Sequence, residues 1–269
     1  MLNLIKAYKS EFNKTKKSLG QHFLTNKHFI SEIVSFLDLK EHDNVVEIGP
    51  GCGVLTYEIL QKGVNLTVVD IDSDVCDFLS RYLYYFKNLK IINKDFIEIT
   101  RDDLPDGKLK FAGNLPYNVS VKIFEKCVDF IDDIELMTFM FQKEVADRLT
   151  SEPCSKTYSS LSIFAQYYFN IEKIRNISGA NFWPNTKVTS TVLKFIPRER
   201  YFNDLNKEKR FFDFVMSCFK SKRKTLKNNL SYLSKEQLEK IDKHFGEKIR
   251  AEQLSLDDFI KLFEMIENE

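Results

Sequence analysis

The chain has 269 residues, 43% hydrophobic and 29% charged, with 40 Lys and Arg nearly balancing 39 Asp and Glu to a net charge of +1. That composition excludes a disordered chain and supplies core for one large domain, or a large one and a small one, while near neutrality leaves any nucleic-acid face to local clusters. The five cysteines lack C-x-x-C spacing and do not cluster with histidines, which argues against a metal site or a disulfide frame and fits a reducing cytosol.

Residues 1–17 mix leucines and lysines without the continuous apolar stretch of a signal peptide, and no apolar run approaches the roughly 18 residues of a membrane span. A soluble cytoplasmic protein with no membrane partner is therefore expected. From Asn44 the pattern alternates in the manner of a parallel α/β sheet. Asn44 to Ile48 reads as a buried strand, Gly49 to Gly53 as a glycine-rich turn, and Val54 to Leu60 as a helix. A second strand runs from Asn65 to Val69 and ends in Asp70. The segment from Asp74 to Tyr85 has helical spacing, and Leu89 to Ile92 forms a third strand ending near Asp95. The fourth strand, Leu109 to Gly113, runs into Asn114, followed by a helix from Val119 to Asp129 and a fifth strand from Glu135 to Phe141.

Gln142 to Leu149 and Leu161 to Phe169 read as helices, and Thr189 to Ile196 alternates like a late strand. The run Pro197-Arg198-Glu199-Arg200 breaks the pattern. Beyond it only helical segments follow, over Asn206 to Lys220, Arg223 to Leu233, Lys235 to Phe245 and Leu256 to Ile266, so a domain boundary is drawn near Arg200, giving domains 1–200 and 201–269.

Two stretches carry chemistry. In Glu47-Ile48-Gly49-Pro50-Gly51-Cys52-Gly53 the glycines let the backbone pass close to a ligand, and Asp70 ends the next strand about 20 residues on, where a carboxylate meets ribose hydroxyls. The proline after the first glycine removes a backbone N–H from a phosphate cradle, so the ligand is expected to be a nucleoside without phosphates. S-adenosylmethionine is the commonest such cofactor on this architecture, its adenine read by Asp95.

The second stretch is Asn114-Leu115-Pro116-Tyr117, at a strand end where open α/β sheets place their ligands. Read alone it fits a turn equally well. Its Asn114 side-chain carbonyl and Leu115 backbone carbonyl can accept hydrogen bonds from an exocyclic amine while Tyr117 stacks on the base.

Taken in order, Gly20-Gln21-His22-Phe23-Leu24, Glu47 to Gly51, Asn114 to Tyr117, Gln142 to Arg148, Lys187-Val188-Thr189-Ser190, Arg223 to Leu230 and Arg250 to Ser255 resemble the rRNA adenine N6-dimethyltransferase family over nearly the whole chain. In particular they resemble members acting on two adjacent adenines near the 3′ end of small-subunit rRNA. The resemblance implies a Rossmann-like class I S-adenosylmethionine-dependent methyltransferase sheet with a small all-helical C-terminal domain. It implies cofactor contacts from His22, Leu24, Gly49, Gly51, Asp70, Asp95 and Asn114, and catalysis by Asn114, Leu115, Pro116, Tyr117 and Phe182, the last as a second aromatic face for the base. Many family members have asparagine where His22 stands, so its contact runs through a different donor or through its backbone. Thr186 stands where the family usually has proline, which frees the loop. Asp72 reads as a solvated helix-start carboxylate rather than a ligand.

Lys220, Lys222, Arg223, Lys224 and Lys227 fall in a stretch without an acid, and Lys14, Lys16 and Lys17 form a second cluster. With the resemblance they imply RNA contacts, the partner being 16S rRNA within an immature small ribosomal subunit and the protein a monomer. The alternatives are a 23S rRNA adenine methyltransferase of the macrolide-resistance type and a non-catalytic ribosome assembly factor.

Overall fold

A computed structural model describes residues 4–12, 16 and 20–267. Lys14 and Lys17 of the amino-terminal cluster lie outside the described residues.

The strands are β1 (Phe23–Leu24), β2 (Asn44–Ile48), β3 (Asn65–Asp70), β4 (Leu89–Asn93), β5 (Leu109–Asn114), β6 (Ile134–Gln142), β7 (Phe169–Ile177), β8 (Phe182–Trp183) and β9 (Ser190–Pro197). Seven form one sheet in the order β4-β3-β2-β5-β6-β9-β7, and β1 pairs with β8 separately. β2 pairs in parallel with both β3 and β5, β3 with β4, and β5 with β6, whereas β9 runs antiparallel to β6. The order reverses beside β2. A crevice therefore opens beyond the carboxyl ends of β2 and β5, and the two motif-bearing turns, Gly49 to Gly53 and Asn114 to Tyr117, leave those adjacent ends.

The central strands read as unbroken apolar runs because both faces are covered; Val45, Val46, Phe111 and Ala112 are fully buried. Helices α1 (Leu4–Phe12), α2 (Lys27–Ser35), α3 (Val54–Leu60), α4 (Ser73–Tyr82) and α5 (Ser120–Cys127) bury one stripe each. Asp72 fixes where α4 starts, accepting from Asp74 N at 3.1 Å.

The remaining helices are α6 (Lys143–Leu149), α7 (Ser160–Tyr168), α8 (Leu205–Cys218), α9 (Leu226–Asn229), α10 (Lys235–Phe245) and α11 (Leu256–Glu267). The chain divides into two compact units, residues 1–146 with 171–197, and residues 147–170 with 198–269. The second division falls beside the boundary drawn near Arg200, but the stretch 147–170 groups with the carboxyl-terminal helices rather than with the sheet. Its reason is packing. Tyr167 and Tyr168 at the end of α7 donate to the buried Glu208 carboxylate of α8 at 2.9 and 2.7 Å, within a cluster that includes Phe202, Phe211 and Phe263.

The helix expected over Arg223 to Leu233 is confined to α9. Thr225 caps it by accepting from Asn228 N, and Ser234 opens α10 with a capping box to Gln237, so turns occupy the flanks. β7 was not expected as a strand. It lies at the sheet edge, where Glu172, Lys173 and Arg175 face solvent and blur the alternation.

Candidate active site

The glycine turn after β2 gives the site its floor. Gly51 has φ +54, and a Cβ there would lie 2.5 Å from the Phe23 ring, so only glycine lets the amino-terminal segment settle on this turn. That contact explains why Gly20 to Leu24 and Glu47 to Gly51 occur together. Phe23 also meets Tyr8 of α1 edge-on at 5.1 Å, and Leu24 pairs with Phe182 across β1 and β8.

A cavity of about 190 Å³ lies above the turn, lined by His22, Leu24, Gly49, Gly51, Asp70, Asp95 and the whole of Asn114 to Tyr117. Every expected cofactor and catalytic residue but one thus reaches one cleft. Phe182 does not: it is 1% exposed and packs in the core under β8, because its pairing with Leu24 turns it inward. The ring facing Tyr117 is instead His22, with centroids 5.9 Å apart and planes 21° from parallel.

Asp70 ends β3 with Oδ1 accepting from Asp72 N at 2.9 Å. Burial pushes its carboxyl up to about 6; the Asp72 N–H opposes that rise and the Asp72 charge adds to it. Asp95 Oδ1 accepts from Ile97 N at 3.0 Å. Ile71 and Ile97 border the cavity with 55% and 39% of their surface exposed, apolar flanks suited to a flat base. The carboxylates of Asp70 and Asp95 repel phosphates and accept from hydroxyls and amines, so the acceptor set fits a nucleoside cofactor of the S-adenosylmethionine kind. Among the described residues no cluster suited to a metal ion is found, and no helix is long and apolar enough to cross a membrane.

At the end of β5, Asn114 Nδ2 donates to the His22 backbone carbonyl at 2.7 Å. A carbonyl only accepts, so the amide nitrogen must face it and Oδ1 is left without a donor among the described residues. His22 thus meets Asn114 through its backbone, while its imidazole Nδ1 lies 2.9 Å from the Pro184 carbonyl. Tyr117 reaches Ser190 Oγ through its hydroxyl at 2.7 Å. Burial raises the Tyr117 phenol above its ordinary value, which keeps it neutral.

Three participants were not legible as such. Asp72 is 3% exposed rather than solvated, accepting from Gln21 Nε2 at 2.8 Å and Lys16 Nζ at 2.6 Å, and so ties the amino-terminal segment beside Asp70. Glu47, 1% exposed at the cavity wall, has an unpartnered Oε2 and a carboxyl pushed up to about 8 by burial, with the Asp70 charge adding to it. An acid inside the apolar run Asn44 to Ile48 was its signal. Ser190 closes the Lys187 to Ser190 motif, whose sequence carried no role. The Thr186 loop is held rather than freed: Thr186 N donates to Gly179 O at 3.3 Å, a bond proline cannot make, and Thr186 Oγ1 accepts from Val188 N at 3.2 Å.

In the second unit Lys220, Lys222, Arg223 and Lys224 are exposed, and none has a carboxylate partner among the described residues. Asn229 Nδ2 donates to the Cys218 and Ser221 carbonyls at 2.8 and 3.0 Å, holding their loop. Lys227 differs, being paired to Asp242 at 2.5 Å.

A family model described as ribosomal RNA adenine dimethylase matches residues 12–268. A ribosomal RNA small subunit methyltransferase A of Persephonella marina is 41% identical over 251 residues, 93% of each chain. Its namesake in Francisella tularensis is 40% identical over 256 residues, 93% of this chain and 96% of that one. Among solved structures, a dimethyladenosine transferase from Plasmodium falciparum superposes with a TM-score of 0.77 at 26% identity, covering 89% of this chain and 95% of that one. The 23S rRNA methyltransferase ErmE shares the fold, with a TM-score of 0.73 at 23% identity over 91% of this chain and 99% of that one.

Proposed function

Because the chain belongs to the ribosomal RNA adenine dimethylase family, we propose that it methylates N6 of two adjacent adenines in the 3′-terminal hairpin loop of 16S rRNA, giving N6,N6-dimethyladenosines. The observation that carries this reading is the orientation of Asn114, whose nitrogen is committed to His22 and whose oxygen is open to the cleft. The N6 amine of adenine is a poor nucleophile because its lone pair is delocalised into the ring. Acceptors aimed at its N–H groups, Asn114 Oδ1 and the Leu115 carbonyl, favour the tetrahedral nitrogen over the planar one.

Bound there, S-adenosylmethionine would supply an electrophilic methyl carbon on a positively charged sulfur. His22, Leu24, Gly49, Gly51, Asp70 and Asp95 would hold it, Asp70 accepting from the ribose hydroxyls and Asp95 from the adenine amine. Tyr117 stacks on the target base and fixes its plane, contributing about 1 to 3 kcal/mol. No strong base is needed, because the ammonium product is acidic and gives its proton to water. Tyr117, neutral and buried, serves as a surface and not as a proton acceptor.

The unpaired cations Lys220, Lys222, Arg223 and Lys224 support phosphate contacts that position the RNA, with the pocket selecting adenine. A base in a loop costs least to unstack, which fits a hairpin target. The natural substrate on this reading is an immature small subunit in the cytoplasm, met by a monomer. The small-subunit choice rests on relatives about 40% identical over nearly the full chain. Labelled methyl transfer to small subunits lacking dimethyladenosine, run beside naked large-subunit RNA, tests it; exclusive labelling of the latter would overturn it.

A further inference from the structure

The Lys187 to Ser190 motif has so far no part in the chemistry. Ser190 is fully buried at the start of β9, and its Oγ lies 2.7 Å from the Tyr117 hydroxyl. The serine is itself fixed from several sides. It sits opposite Gln142 in the β6–β9 register, the preceding Thr189 carbonyl accepts from Lys143 N at 2.9 Å, and the following Thr191 hydroxyl donates to Asn176 Oδ1 at 2.7 Å. Tyr117, by contrast, leaves β5 on a turn; His22 faces its ring at 5.9 Å, and the hydroxyl end is held by Ser190.

We infer that Ser190 is a positioning residue for methyl transfer, holding the Tyr117 ring from its hydroxyl end in the plane on which the target adenine stacks. The inference rests on the stacking role given to Tyr117 in the proposed function. It accounts for a hydroxyl on the stacking ring: phenylalanine offers the same face without the anchor. A positioned ring favours the reacting geometry without touching the cofactor. Loss of the anchor should therefore lower turnover and spare cofactor binding.

The test uses the full chain and whichever ribosomal subunit the wild-type protein labels, so that an error in the choice of RNA does not decide the matter. Ser190→Ala and Tyr117→Phe remove the same hydrogen bond from opposite ends, and each is expected to lower kcat about tenfold, as the loss of one partly buried hydrogen bond does. The double variant should fall no further than either single one, Ser190→Thr should restore most of the rate, and the Kd for S-adenosylmethionine should stay within about twofold throughout. Additive losses, wild-type turnover of Ser190→Ala, or a parallel loss of cofactor affinity would overturn the inference. A crystal of Ser190→Ala reads the same claim without turnover: a displaced or disordered Tyr117 ring supports it, and an unmoved ring rejects it.

Discussion

Asn114 and His22 are joined by a 2.7 Å hydrogen bond from the side-chain amide of one to the backbone carbonyl of the other, which ties the end of β5 to the amino-terminal segment. One side chain thereby serves two ligands. Its nitrogen secures the segment that borders the cofactor cleft, and its oxygen is presented to the base. Asn114→Ala is expected to lower kcat by about 10² to 10³-fold, the size of losing one positioned acceptor, with a smaller change in the Kd for S-adenosylmethionine. Asn114→Asp keeps an oxygen for the base but sets a carboxylate against the His22 carbonyl, so here the cofactor Kd should rise. Equilibrium binding and single-turnover rates separate the two effects.

Asp70 sets the pH dependence of cofactor binding. Its ionised form accepts from ribose hydroxyls, and its carboxyl is raised from 3.8 to about 6. Affinity should be full well above pH 6 and decline as the pH falls through that value. The sign for stability is opposite. Between about pH 4 and 6 the native state holds a proton that the unfolded chain has lost, so this group's contribution falls as pH rises through that window and stays low above it. Asp70→Asn should accordingly raise the Tm of the free protein at pH 7 while weakening the cofactor. Calorimetry at pH 5 and pH 8 checks both signs.

The basic loop of the second unit is expected to act through phosphates. Replacing Lys222, Arg223 and Lys224 together by Ala should reduce the slope of log K against log salt by about 2 to 3 for RNA binding. Lys227→Ala should change it less, since that ammonium is already paired with Asp242. Binding isotherms at several salt concentrations decide it.

Phe182 belongs to the core, so its truncation should be a stability effect. Phe182→Ala is expected to cost about 3 to 5 kcal/mol of folding free energy, seen as a large fall in Tm, whereas Phe182→Leu should keep most of the turnover. A stable Phe182→Ala that has lost only base binding would restore the stacking role.

The parallel sheet and its cleft were legible because buried parallel strands leave continuous apolar runs, and because glycine and proline punctuate the turns at their ends. β2 is observed over the span read from the sequence, and β5 ends at Asn114 as expected. What was not legible depends on partners distant in sequence. Asp72 looks like any helix-start carboxylate until Gln21 and Lys16 fold onto it. Phe182 carries the signature of a base-stacking ring, but its inward turn is decided by pairing with Leu24. Ser190 closes a motif with no readable role until the sheet order brings β9 to Tyr117. The grouping of 147–170 with the carboxyl-terminal helices was hidden for the same reason, since Tyr167 and Tyr168 show no preference for Glu208 in one dimension.

The most direct measurement of the central claim is mass spectrometry of rRNA after incubating the protein and labelled S-adenosylmethionine with small subunits that lack dimethyladenosine. The account expects two adjacent N6,N6-dimethyladenosines in the 3′-terminal hairpin loop, absent with Asn114→Ala. Label confined to large-subunit RNA, or no labelled adenine in either subunit, would contradict it.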